Sequence, residues 1–263
     1  MRDEKIRLGG MALTNGVLVH GPHAWACAVR DDDGELKVAS EYKGFRAAEI
    51  KNPILRGPAR IAEIFAVLPQ VRRRLPEATL PFQRPQVLAA MGGTALVVRS
   101  IKESSRLSPL ARELLGALLS LAPAALALRG GELAAYHGAE HIAIGTYEHG
   151  GEAAEKEHER CGSHLLGPLL GTLAIGNILA TRAPRQFRLA ARGLASIGAV
   201  AVSTEIFAWM VRNPDHPVSK ALAKPGHEIQ HRLATAEPTP EQLEVAEAAL
   251  AACLELEDGD HPH

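Results

Sequence analysis

The chain has 263 residues, with 29 lysines and arginines against 30 aspartates and glutamates and a formal net charge of −1 at pH 7. This balance argues against a general nucleic-acid-binding protein, which would carry an excess of positive charge. The length allows one large domain or two small ones with a substantial core. Cys27, Cys161 and Cys253 are far apart and odd in number, which favours a reducing compartment over a disulfide framework.

The N-terminal segment, residues 1–52, is predicted to be a β-rich unit. Two apolar or alternating runs, Val17–His20 and Trp25–Val29, flank a Gly-Pro turn. The sequence DDDG then precedes a return strand around Leu36–Ala39. Turn residues between short apolar runs are typical of β-hairpins. We therefore expect a small hairpin or meander here.

The rest of the chain is predicted to be helical. A helix at 53–75 is followed by a proline-rich linker at 76–88 and a helical core at 89–236. The segment 237–263 contains a docking helix and a tail. Thr239, Pro240 and Gln242 form a capping-box pattern with proline at the first helical position. The fold class predicted is mainly α, a helical bundle with a small N-terminal β unit.

Three segments of the helical core are strongly apolar: Leu114–Leu128, Leu165–Ala180 and Gly193–Val211. Each is either a membrane-spanning helix or a buried core helix, because a span requires about 20 apolar residues. The connection at 181–192 has four arginines and no acids, as expected of a cytoplasmic loop. We expect a protein embedded in or associated with the cell membrane, with lipid as a partner and its site facing the cytoplasm. A soluble cytoplasmic protein is the alternative.

The number of spans raises a question of topology. Arginines flank both the N-terminal part and the loop at 181–192, and three single spans would place the histidine-rich segment between them on the opposite side. Either a segment near Val87–Val98 also crosses the membrane, or one of the three segments does not.

Five of the twelve histidines lie between residues 134 and 164, around Cys161. Within this segment, residues 137–141 read HGAEH and match H-x-x-E-H, the inverted zincin motif. On a helix, His137 and His141 project from one face and reach one metal ion. Glu140 is then placed as a general base. About one in twenty chains of this composition would contain the motif by chance. The alternative interpretation is a surface helix with two solvated histidines.

Three further residues are candidates for the same site. His158 and Cys161 are one helical turn apart and would form a second bidentate element; alternatively, Cys161 is a small buried hydrophobe. Glu205 is an isolated acid in an apolar segment. An acid in such a segment is costly unless it is paired, coordinated or solvated. It completes the ligand set or pairs with an arginine such as Arg192 or Arg212.

Several stretches together resemble the YqhQ-like family of bacterial proteins. They read YHGAEH at 136–141, CGS at 161–163, STE at 203–205 and PGHEIQHRLATAEPTPEQLEVAEAAL at 225–250. The N-terminal stretch GGMALTNGVLVHGPHAWACAVRDDDGEL also resembles the start of that family. The similarity covers most of the chain and is weakest at 73–132. The resemblance implies a metal site and a membrane location, but no assigned reaction.

This chain also departs from the family pattern. The family usually has a glutamine, an acid and an arginine or similar polar group where this chain has Met11, Asn15 and His20. If those positions face the metal site, this copy has an altered or inactive centre.

The resulting hypothesis is a metal-dependent hydrolase with zinc, or another divalent transition metal, as cofactor. His137, His141, Cys161, Glu205 and His158 are the candidate ligands, and Glu140 is the catalytic base. One rival is a structural zinc site closed by four protein ligands. A second is a membrane-associated scaffold or regulatory protein in which the histidines are incidental. The substrate and the oligomeric state do not follow from the sequence.

Overall fold

The computed structural model describes residues 5–128 and 131–259. In that part the chain is mainly helical with a small N-terminal antiparallel sheet, which confirms the predicted fold class. The strands are β1 (Gly9–Leu13), β2 (Gly16–His20), β3 (Ala24–Arg30) and β4 (Leu36–Tyr42). The helices are α1 (Pro53–Arg74), α2 (Pro85–Glu103), α3 (Pro109–Ser120), α4 (Ala122–Leu128), α5 (Glu132–Glu148), α6 (Leu166–Ala180), α7 (Arg188–Arg212), α8 (Pro217–Ile229) and α9 (Pro240–Glu257).

The four strands form a meander in which each strand pairs with the next along the chain. The apolar runs and turn residues predicted β2, β3 and β4 but not β1, which only the resemblance to a family starting with a glycine-patterned strand implied. Strand β1 begins with Gly9 and Gly10, and glycine weakens any local signal for a strand. Its pairing with β2, from Gly9 opposite His20 to Leu13 opposite Gly16, supplies the missing stabilisation.

Both faces of the sheet are covered, because successive side chains of a strand point to opposite faces. Val17, Val19, Ala26 and Ala28 on one face pack in a core with α5 and α9. On the other face, residues including Leu18 and Trp25 pack against the C-terminal half of α1. We call the sheet, α5 and α9 together the sheet core. It unites segments from the beginning, middle and end of the described chain.

Helix α9 begins as the sequence predicts. The Thr239 hydroxyl accepts a hydrogen bond from the backbone N–H of Gln242, and the Gln242 side chain accepts one from the Thr239 N–H. Val245, Ala246, Ala249 and Cys253 are buried against the sheet. The helix therefore docks on the sheet core.

Within the described residues, three segments are long and apolar enough to cross a membrane: Pro109–Leu128, Gly162–Ala180 and Arg185–Arg212. In the most apolar part of each, only 11%, 22% and 22% of the residues, respectively, are buried. A buried core helix would hide its apolar side chains, whereas these helices leave most of theirs only partly buried or exposed. A membrane location is therefore plausible.

Candidate metal centre

The centre is built on α5, which lies against the sheet core. Tyr136, Ala139 and Ala143 of α5 are buried in that core, and this packing fixes the rotation of the helix about its axis. His137 and His141 are four residues apart, and their ring centroids are 4.3 Å apart. The i, i+4 spacing therefore brings the two imidazoles together, as expected for a helix.

Cys161 provides a third donor atom from a different element. It precedes the short 3-10 helix Gly162–Leu165, which leads into α6. Its sulfur lies 3.5 Å from Nε2 of His137. One donor atom from each of His137, His141 and Cys161 lies within 4.8 Å of the other two, so the group could hold a metal ion.

Backbone hydrogen bonds fix which ring nitrogens are available. Nδ1 of His137 is 2.8 Å from the carbonyl oxygen of Ala234, and Nδ1 of His141 is 2.6 Å from that of Lys156. A carbonyl oxygen only accepts, so each Nδ1 must donate its proton. In the neutral imidazole Nε2 then carries a free lone pair. This arrangement around metal-binding histidines orients the ring and selects the tautomer.

Burial sets the protonation of the site. It lowers the pKa of His141 to about 3, so its imidazole is neutral at physiological pH and available as a ligand. Burial also raises the pKa of the Cys161 thiol, partly offset by the hydrogen bonds from Ser163. Metal binding would have to displace that proton, since the thiolate is the ligand.

Glu140 lies beside the three donors. Its Oε2 is 3.8 Å from Nε2 of His137 and 3.9 Å from Nε2 of His141. Burial raises its pKa to about 7, opposed by the nearby His137. Strand β1 makes room for this carboxylate, because a Cβ atom on Gly10 would come within 2.3 Å of its Oε1. Gly10 thus has a packing role that its place in a strand did not predict.

His158 is adjacent to the centre but already engaged. Its ring centroid is 5.5 Å from that of His141. Its Nδ1 accepts a hydrogen bond from the Arg160 N–H, and its Nε2 lies 3.2 Å from the Glu148 carboxylate. With both nitrogens occupied, the structure does not bring His158 into the donor group.

Glu205 is not part of the group formed by the three donors. Its two oxygens are held by Arg56, with Arg56 Nη2 at 2.6 and 2.7 Å from them. This bidentate pair explains how an acid is accommodated in an apolar helix. The pairing with arginine matches the alternative in the sequence analysis, but the partner comes from α1 rather than being Arg192 or Arg212.

A residue missed by the sequence analysis, Gln230, connects the segments that carry the donors. It is fully buried, and its Oε1 accepts from the backbone N–H of His158. Its Nε2 donates to Ser163 Oγ at 2.9 Å and lies 2.9 Å from Nε2 of His164. Gln230 also begins a five-residue π-helix that ends at Ala234, the residue whose carbonyl holds His137. The signal in the sequence was that Gln230 lies in PGHEIQHR, part of the stretch at 225–250 that resembles the YqhQ-like family.

The N-terminal departures from the family pattern are not among the donors. Met11 packs on the face of the sheet that α1 covers, opposite to α5. Asn15 bonds backbone groups of Arg30, Glu77 and Thr79. The His20 ring lies against Phe45, with the ring centroids 5.0 Å apart. An altered metal centre does not follow from these three positions.

Gly138 offers a test of how the centre is supported. A Cβ atom there would come within 2.2 Å of the backbone oxygen of Ala236, two residues after the carbonyl that holds His137. We expect Gly138→Ala to displace this segment and weaken metal affinity about 10–100-fold, the usual effect of disturbing a ligand's supporting hydrogen bonds. Competition with a chromophoric chelator measures the affinity. Gly171→Ala, in open space, is the matched control, and equal affinities in the two variants would contradict the expectation.

The fold and the site define a mainly helical protein with an N-terminal sheet, potential membrane helices and a His-His-Cys group that could bind a metal. Residues 132–256 match the model of the family described as "Protein of unknown function (DUF1385)". The match is consistent with the YqhQ-like resemblance and includes all three donors. Neither a curated protein nor a solved structure matches the chain.

Proposed function

We propose that the protein is a zinc-dependent enzyme of hydrolytic type, with His137, His141 and Cys161 as ligands and Glu140 as general base. The observation that carries this proposal is the convergence of the three donors within 4.8 Å, with both Nδ1 atoms engaged by carbonyls. Imidazole and thiolate donors favour zinc among the common divalent metals. A zinc ion bound there would supply Lewis-acid activation of water and of the bond to be cleaved.

The role of Glu140 follows from its place beside the donors. Its Oε2 is nearly equidistant from the two imidazole Nε2 atoms, so it stands next to the position that a bound metal ion would occupy. A carboxylate there would accept a proton from the attacking water and return it to the leaving group. The buried surroundings, with Gly10 closing one side, keep the carboxylate in this position.

The rival function is a structural zinc site. It requires a fourth protein ligand, and the Glu140 carboxylate is the group that stands next to the three donors. Cobalt(II) substitution separates the two functions. A centre with three protein ligands has an open position, so added cyanide should change its d–d absorption bands. A closed four-ligand centre would leave those bands unchanged and overturn the enzymatic proposal.

We further propose a cell-membrane location with the metal centre on the cytoplasmic side. All three cysteines are free and buried, and two of them, Cys27 and Cys253, are fully buried in the sheet core. Free thiols persist in a reducing compartment. The free thiols therefore support a cytoplasmic position for the sheet core rather than for the opposite ends of the apolar helices.

The primary test is zinc content by elemental analysis. We expect near-stoichiometric zinc in the wild type and loss of zinc in both His137→Ala and Cys161→Ala, because each removes one of three ligands. His227→Ala, on the exposed face of α8, and Glu205→Gln, whose acid pairs with Arg56, should keep the metal. Retention of zinc by both ligand variants, or no zinc in the wild type after incubation with it, would refute the metal centre.

A further inference from the structure

The sheet core constrains how the chain can cross a membrane. Residues of β2, α5 and α9 pack in one core, including Val17, Ala139 and Val245. Segments packed in one core lie on the same side of a membrane. The chain must therefore cross an even number of times between the sheet and α5, and again between α5 and α9.

The apolar segments identified by length and composition do not satisfy this count. Between α5 and α9 there are two, Gly162–Ala180 and Arg185–Arg212, which is even. Between the sheet and α5, the described chain has one, Pro109–Leu128. A single crossing there would separate the sheet from α5. A second crossing segment before α5 is required if Pro109–Leu128 spans the membrane.

Helix α2 has the length and the surface for that second crossing. It has 19 residues, or about 28 Å at 1.5 Å per residue, close to the ~30 Å hydrocarbon thickness. Its apolar side chains face outward: Leu88 is 53% exposed, Leu96 68% and Val97 50%. It packs along both α3 and α4. In water these side chains would form an unfavourable exposed patch.

The two ends of the helix group formed by α2, α3, α4 and α6 differ in their contacts. At one end, Val87 of α2 and Ala127 of α4 pack with Leu133 of α5, next to the sheet core. At the other end, Lys102 lies 3.3 Å from Glu113, which accepts a hydrogen bond from Asn177 near the end of α6. The connections 104–108 and 181–187 are thus at the same end, away from the sheet core.

We propose that α2 is a fourth membrane-crossing segment. It forms one hairpin with α3–α4, and α6 forms a second hairpin with α7. The outer apolar faces of both contact lipid acyl chains. The two tips, 104–108 and 181–187, lie on the side of the membrane opposite the metal centre. For a cytoplasmic metal centre, this arrangement runs against the expectation that the arginine-rich connection at 181–192 is a cytoplasmic loop. This topology does not depend on catalysis or on metal binding.

The charges near the first tip fit this arrangement. Arg99, Lys102 and Glu103 lie in the last two turns of α2, and Arg99 pairs with Glu103. Long basic side chains at the end of a spanning helix extend toward the headgroups. The central part of α2, 87–98, carries no charged residue.

The test is labelling of single introduced cysteines with a membrane-impermeant maleimide, in intact bacterial cells and in inverted vesicles. Ser105→Cys and Gln186→Cys report the two tips, and Asp33→Cys and Glu247→Cys report the sheet core. The wild type is the background control because its three cysteines are buried. Leu96→Cys tests whether α2 is in lipid, although the side chain is exposed in the isolated chain.

We expect the two tip variants to be labelled in one preparation and the two sheet-core variants in the other. Leu96→Cys should be labelled in neither until detergent is added. Labelling of Ser105→Cys together with Asp33→Cys, or of Leu96→Cys without detergent, would overturn the proposal. Labelling of all sites in inverted vesicles, with release of the protein by alkaline carbonate, would also overturn it. Sheet-core labelling in intact cells would support the two hairpins and refute the cytoplasmic placement of the metal centre.

Discussion

Hydrolysis by the zinc-loaded Glu140→Gln variant is expected to be about 10²–10⁴-fold slower than by the wild type, the usual contribution of a general base. Glutamine preserves the shape of the side chain beside Gly10 but accepts no proton at pH 7. Zinc should stay bound, because the three donors are unchanged. The measurement is turnover of whichever ester the wild type cleaves in a panel of p-nitrophenyl carboxylic and phosphate esters.

The metal content of the same variant distinguishes the possible outcomes. Glu132→Gln, an exposed acid on the same helix, should keep full activity. If Glu140→Gln retains both zinc and activity, Glu140 is not the base. If it loses zinc, Glu140 is a fourth ligand and the site is of the closed, structural type.

Stability of the metal-free protein gives a readout of Glu140 that needs no substrate. Burial raises the folded-state pKa of Glu140 from its ordinary value of 4.5 to about 7. The folded state therefore binds this proton more tightly than the unfolded state. The resulting contribution to the free energy of unfolding is complete below pH 4.5 and is lost as pH rises through about 7. Its size is about 3 kcal/mol at 1.36 kcal/mol per pKa unit.

Glu140→Gln removes this pH dependence. The quantity to compare is the free energy of unfolding of the metal-free variant minus that of the metal-free wild type. We expect this difference to be up to about 3 kcal/mol larger at pH 8 than at pH 4. Denaturant unfolding with chelator at both pH values measures the difference. Since His141 titrates in both proteins, its own effect cancels to first order. An equal difference at the two pH values would mean that Glu140 does not titrate in a buried environment.

The parts of the candidate centre that the sequence predicts are those set by local geometry. The i, i+4 spacing of His137 and His141 brings the imidazoles together on any regular helix. The interpretation of Cys161 as a third donor required only that the following loop fold back on α5. The residues that form these patterns all lie within about 25 residues of one another in the chain.

The parts that were missed depend on contacts between distant segments. Gln230 reaches His158 across 72 positions, and Ala234 reaches His137 across 97. Glu205 pairs with Arg56 across 149 positions. No periodicity in one segment specifies such a partner. The spacing of His158 and Cys161 suggested a shared metal, but the Glu148 carboxylate and the Arg160 N–H occupy the histidine instead.

Topology shows the same division between local and long-range information. Hydropathy identified three apolar segments but did not decide how many of them cross. The packing of α5 and α9 on one face of the sheet supplies the missing constraint, because it requires an even number of crossings between them and the sheet. The segment near Val87–Val98, which forms the uncharged part of α2, was only one of two alternatives in the sequence analysis, because Arg99 and Lys102 end its apolar run short of a full span.

Glu257→Ala is expected to lower the free energy of unfolding by about 3 kcal/mol, because two backbone donors would lose a charged acceptor in a buried setting. The Glu257 side chain, at the end of α9, is only 1% exposed. Its Oε1 accepts from the N–H groups of His23 and Ala24, both at 2.7 Å, and its Oε2 lies 3.0 Å from Nδ1 of His23. Gly21 permits this approach, because a Cβ atom there would come within 2.4 Å of Oε1.

Equilibrium denaturation of the full chain in detergent measures this loss. Glu257→Gln keeps an oxygen acceptor without the charge and should lose about 1 kcal/mol. Glu255→Ala, exposed on the same helix, should change stability by less than about 0.5 kcal/mol. A Glu257→Ala variant as stable as Glu255→Ala would show that the turn does not depend on this carboxylate. Because the sheet precedes α2 and α9 follows α7, this contact joins the two ends of the hairpin array. Its loss should therefore lower stability without removing any of the three candidate metal ligands.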